Sequence, residues 1–255
     1  MDTIRRSGRA TTRILGLALG CLLTLGCSGA RGGGGNSPTG GGPDGDGHGG
    51  AGGPSVNGTV GALDEAAVKK EAGTATKKAE ACVEKARELL PYVEGAMTIS
   101  LKVDRSGKVI EAYLVDNDFG FDKTESCILE AFEAGSWPKP VGGDVGEISQ
   151  SLAFESGAAE PPQDWPEAEL KAAMVEEEAE GFDTLMKKLG ACRAEAKAGP
   201  MKATIYIDED GLVQAVGTSV ADAAGKAATP CVVTQVQTTS FPAPDGLSKA
   251  TVTVP

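Results

Sequence analysis

The feature that most constrains this chain is that the carboxy-terminal part is written twice. Lys77-Lys78-Ala79-Glu80-Ala81-Cys82 corresponds to Lys187-Lys188-Leu189-Gly190-Ala191-Cys192. Further on, Asp104, Gly107 and Val109 correspond to Asp208, Gly211 and Val213 at an offset of 104 residues. The same offset carries Cys127 onto Cys231, and Ser136-Trp137-Pro138-Lys139-Pro140 onto Ser240-Phe241-Pro242-Ala243-Pro244. At the first cysteine the offset is 110, so copy 1 holds six extra residues between that cysteine and its first strand. Each copy must therefore build its own small core, and aromatics at 4% give it little with which to do so.

Both copies read as α-β-β-α-β. The alanine-rich segments Val68 to Leu90 and Pro166 to Leu189 have helical composition and carry the first cysteine. Alternating apolar residues then form a hairpin: Ile99, Leu101 and Val103 lead to the turn Asp104-Arg105-Ser106-Gly107 and return at Val109. Copy 2 repeats this with Ala203, Ile205, Ile207, Asp208-Glu209-Asp210-Gly211 and Val213. Short helices follow near Thr124–Ala134 and Thr229–Thr238, then closing strands near Ile148–Phe154 and Ala250–Val254. The fold class is α+β, two tandem modules, with boundaries at 62–155 and 164–255 and a linker at 156–163.

The amino terminus reads as an address. Arg5, Arg6, Arg9 and Arg13 precede an uncharged run from Ile14 to Gly26, the pattern of a secretory signal over residues 1–26. Leu23-Thr24-Leu25-Gly26-Cys27 resembles the lipobox of bacterial lipoproteins, which implies cleavage before Cys27 and lipidation of its thiol; Cys21 is a weaker candidate. Loss of four Arg and one Asp shifts the formal charge from −12 to −15. Residues 27–61 are dominated by glycine and read as a disordered tether. An exported chain permits disulfides. Setting aside Cys21 and Cys27 leaves Cys82, Cys127, Cys192 and Cys231, for which three pairings exist. Duplication favours one bond within each copy, and closing a loop of about 40–45 residues stabilises by ~4 kcal/mol on the chain-entropy model.

The leading cysteine, the Val-Asp-Arg-Ser-Gly-Lys-Val and Ile-Asp-Glu-Asp-Gly-Leu-Val hairpins, the second cysteine and the Trp-Pro-Lys-Pro and Phe-Pro-Ala-Pro elements resemble the TonB carboxy-terminal domain, particularly its AgmX/PglI-type variant. The resemblance covers about residues 76–154 and 186–255. It implies a small α/β module that recognises protein segments or cell-wall polymer without catalysis. This chain has two modules and a Gly-rich spacer in place of one module after a membrane helix and a Pro-rich spacer.

Function is bounded chiefly by exclusion. An acidic balance disfavours nucleic acid. The single histidine, His48, lies in the tether, so a histidine-based catalytic system has no place in either module. Asp44, Asp46 and His48 read as ordinary tether, and Asp208 with Asp210 as turn residues, so no metal or cofactor is expected. Glu176, Glu177, Glu178 and Glu180 read as a solvated helix face, although an envelope hydrolase using carboxylates is the alternative. The expected function is non-enzymatic interaction with an envelope protein or peptidoglycan by a protein lipid-anchored in the outer membrane. An exposed sheet edge in either copy would accept an extended peptide, and Trp137, Pro138, Pro140, Phe241, Pro242 and Pro244 are the candidate contacts.

Overall fold

The computed structural model describes residues 59–155, 161–176 and 181–255. The expected signal peptide, Cys27 and tether up to residue 58 lie outside them, as do Glu177, Glu178 and Glu180. No helix among the described residues is long and apolar enough to cross a membrane.

Module 1 comprises α1 (Glu65–Leu89), β1 (Gly95–Asp104), β2 (Val109–Asn117), α2 (Asp122–Glu133) and β3 (Val145–Phe154). Its antiparallel sheet has the order β2-β1-β3. Module 2 adds a short strand and divides its first helix: β4 (Gln163–Trp165), α3 (Glu167–Glu176), α4 (Phe182–Ala196), β5 (Met201–Ile207), β6 (Val213–Val220), α5 (Ala223–Gln237) and β7 (Ser248–Val254). Its sheet order is β4-β7-β5-β6, with β4 parallel to β7. The two modules have separate hydrophobic cores.

Helix α1 starts because Asp64 accepts the Ala67 N–H at 2.7 Å. Its buried stripe, Ala72, Ala75, Ala79, Cys82, Val83 and Ala86, recurs at helical spacing. Small side chains let the backbone approach the sheet closely, which compensates for the shortage of aromatics. The cystines Cys82–Cys127 and Cys192–Cys231 each join the two helices packed on one sheet, α1 to α2 and α4 to α5, with Cα separations of 6.0 and 5.7 Å. One bond therefore lies within each copy.

Two helix limits differ from expectation. Helix α5 begins at Ala223 rather than near Thr229, because Asp222 caps the Gly225 N–H at 2.7 Å and Pro230 sits inside the helix. An interior proline forfeits one backbone bond, and here it does not end the helix. Helix α4 runs past Cys192 to Ala196 and stops where Lys197 turns left-handed (φ 55°).

The coupling of hairpin and aromatic-proline element has a steric cause. Gly107 (φ +85°) sits under the Trp137 carbonyl, which a Cβ would approach to 2.2 Å; Gly211 (φ +77°) has the same relation to Phe241. Each turn is tied by its first aspartate: Asp104 accepts the Ser106 and Lys108 N–H groups, and Asp208 those of Asp210 and Leu212. The Asp208 carboxylate is thus occupied within its turn. Gly142 also has positive φ (+77°), but a Cβ there meets nothing within 4 Å. Gly107→Ala should therefore cost at least 2 kcal/mol in urea unfolding, and Gly142→Ala only about 1 kcal/mol. Equal effects would show that φ alone, not the Trp137 carbonyl, fixes the glycine.

Candidate functional site

A sheet edge is a row of unpaired N–H and C=O groups, so the chemistry of this fold lies in how each edge is satisfied. The inner edges, β2 and β6, meet at the seam between the modules and are closed by side chains. Glu125, from the first turn of α2, accepts the Thr218 N–H at 3.2 Å, and Asn117 donates to the Thr218 carbonyl at 2.9 Å. A carboxyl and an amide thus stand where a neighbouring strand would. In the opposite direction, the Ser219 hydroxyl donates to the Val115 carbonyl on β2.

Apolar contacts cross the same seam. Tyr206 and Ala215 of module 2 are buried in the core of module 1, while Tyr113 of module 1 packs on that of module 2. The Tyr206 hydroxyl donates to the Glu94 carbonyl at 3.0 Å, and burial holds its proton well above the ordinary range. The Lys249 ammonium reaches the same carbonyl at 3.2 Å and lies 5.5 Å from the Tyr206 ring centroid. Burial lowers the Lys249 pKa.

The outer edges differ between the copies. In module 2, β4 pairs with β7 from Ser248 to Ala250, and Glu167 accepts the Thr253 N–H at 3.2 Å. That edge is covered by its own chain. In module 1 the equivalent cover is a single bridge, Val60 to Val145, after which the chain leaves to pair Ala62 with Val141. Thr59 to Ala62 thus lie against module 1, although the composition placed residues up to 61 in the tether. Beside β3, Leu63 lies with its side chain over Gly146 and supplies no acceptor there.

Val145 donates to Thr59 and accepts from Gly61, so its backbone polar groups face this outer edge. Alternation along the strand turns those of Glu147, Ser149, Ser151 and Ala153 the same way. All four residues are exposed. Beside this edge, a groove of about 360 Å³ runs between α1 and β3. Leu63, Val68, Ala72 and Ile148 give it an apolar floor, with Glu65, Lys69 and Glu147 at its rim.

The candidate contact residues lie elsewhere. Trp137 is 4% exposed, stacked 6.2 Å from Phe132, with its indole N–H donated to the Phe132 carbonyl at 3.0 Å. Phe241 is 6% exposed in the core of module 2. Pro242 is buried, and Pro138, Pro140 and Pro244 are half-buried. The structure thus does not present these six residues as one exposed surface. Glu176 ends α3. The carboxyl raised by burial, to about 7, is instead Glu125. With Asp122 it borders a cavity of about 190 Å³ at the seam, yet its two oxygens accept the Phe121 and Thr218 N–H groups at 3.0 and 3.2 Å.

Trp137→Ala should destabilise module 1 by about 3–5 kcal/mol in urea unfolding. A loss below 1 kcal/mol would show that the indole is not a core element.

Comparison with protein-family models, with curated protein sequences and with solved structures found no match.

Proposed function

We propose that the chain is a non-enzymatic interaction protein of the bacterial envelope, lipid-anchored through Cys27, which takes an extended protein segment as an added strand along β3 of module 1. The observation that carries this reading is the outer edge from Glu147 to Ala153, which has exposed residues and an apolar groove beside it. Backbone hydrogen bonds to the outward groups of Glu147 and Ser149 and to the Ser151 N–H would supply affinity, the Ser151 carbonyl being taken by the Gln150 side-chain amide at 2.9 Å, and alternate side chains of the ligand entering the groove would supply selectivity. The resemblance to TonB-type domains supports a protein segment as ligand, in the outer membrane's periplasmic or surface compartment. Module 2 then serves as a cover for the inner edge of module 1 rather than as a second receptor.

Ser149→Pro tests the edge directly. It removes an outward N–H while proline remains compatible with an edge strand. A photoreactive residue at Ser151 of the full chain should crosslink to a specific envelope protein, and Ser149→Pro should cut that crosslinking at least tenfold with folding retained. A photoreactive residue at Lys202 serves as the control. Equal crosslinking from both positions, or recovery of muropeptides alone, would overturn the reading.

A further inference from the structure

The outer edge of β3 is bounded at both ends. At its start Thr59 and Gly61 occupy the backbone groups of Val145, and the strand itself ends at Phe154. What is left for an added strand is Glu147 to Ala153, with Gln150 at its midpoint. The amino-terminal chain does not run along this stretch. Its bridge from Val60 to Val145 is parallel and Thr59 accepts from Asp144, so the direction at Thr59 leads off the start of β3. The stretch is left to another chain.

This stretch is complementary to itself. In an antiparallel pair, outward-facing residues must stand opposite one another, because only these exchange hydrogen bonds. With a two-fold axis at Gln150, Glu147 faces Ala153 and Ser149 faces Ser151, so every outward residue is used. An axis at Ser149 would set Ala153 against Val145, whose groups are already taken. An axis at Ser151 would set Glu147 against Glu155, a like charge beyond the end of the strand. The Ser151 carbonyl, bonded to the Gln150 amide, keeps a second lone pair for the facing Ser149 N–H. On the open face, the hydroxyl pair of Thr98 and Ser151, 3.1 Å apart, is extended by that same Ser149. On the helix side, Leu152 of one chain comes beside Ile148 of the other, along the apolar floor of the groove.

We infer that the strand added along β3 is β3 of a second copy of this chain, paired antiparallel about Gln150. The inference rests on β3 as the binding edge and names its occupant. The order β2-β1-β3 then continues through the second chain as β3-β1-β2, one sheet across a two-fold axis. Such pairing consumes the edge of both chains at once, so assembly stops at two. At the axis the two Gln150 residues form a pair without backbone hydrogen bonds, their Cα atoms about 4.5 Å apart. Their side chains therefore meet, and charge placed there reports the register.

A mixture of isotope-labelled and unlabelled full chain, purified away from other envelope proteins, tests this. A photoreactive residue at Ser151 should crosslink labelled to unlabelled chain at residues centred on Ser149, and sedimentation should show a concentration-dependent dimer. Gln150→Glu and Gln150→Lys should each weaken the dimer roughly tenfold or more by setting like charges face to face, and mixing the two variants should restore it. Ser149→Pro should abolish the crosslink between chains. A chain that stays monomeric while Ser151 crosslinks a different envelope protein would overturn the self-pairing and leave β3 as the binding edge. Equal crosslinking from Ser151 and Lys202 would overturn both. A dimer indifferent to charge at Gln150, or one whose crosslinks map away from Ser149, would overturn the inference as well.

Discussion

Every strand in a three-stranded sheet except the middle one has a side on which its backbone must find other partners, and here that need determines the architecture. At Thr218 the partners are a carboxyl and an amide reaching from the other module. Their geometry depends on Gly217, since any side chain there would occupy the carboxyl's position. With that contact made, Tyr206 is carried into the neighbouring core and Tyr113 is covered in return. Two modules that each possess a core and a cystine thereby become one compact unit.

Duplication gives two similar surfaces, but the seam uses them dissimilarly. At the 104 offset, Glu125 corresponds to Thr229, Tyr113 to Gly217 and Asn117 to Ala221. A large residue on one side faces a missing side chain on the other, and the capping carboxyl and amide belong to module 1 alone. The outer edges differ too: Glu167 accepts from β7 in module 2, while Leu63 walls a groove beside β3 in module 1. The copies thus share their interiors and differ along their sheet edges.

The interior was largely legible in the sequence. Inward alternation of Ile99, Leu101 and Val103, the Asp-x-x-Gly turns and the cystine register follow from local periodicity and from repetition. Where the sequence placed the second helix near Thr229–Thr238, the Asp222 cap sets the beginning of α5 at Ala223. The edges were not legible, because Glu125 and Asn117 act on a strand about a hundred residues away and nothing local marks them. Only a misfit between the copies, Glu125 against Thr229, gave any signal. Trp137 is legible in two ways: a repeated aromatic beside prolines admits a binding role, while its burial and the carbonyl over Gly107 fit packing against the turn.

The Val60 bridge has a mechanical consequence. Thr59 enters module 1 beside β3, whose outer edge from Glu147 onward pairs with no strand among the described residues. Thr59 accepts from Asp144 at 2.7 Å, and Gly61 donates to Val145 at 2.8 Å. Tension on the amino-terminal side is therefore delivered to the start of β3 through the hydrogen bonds of Thr59 and Gly61. A load at one end of the chain and an occupant on β3 would act on the same strand, so pulling and holding would be felt by one element of the fold.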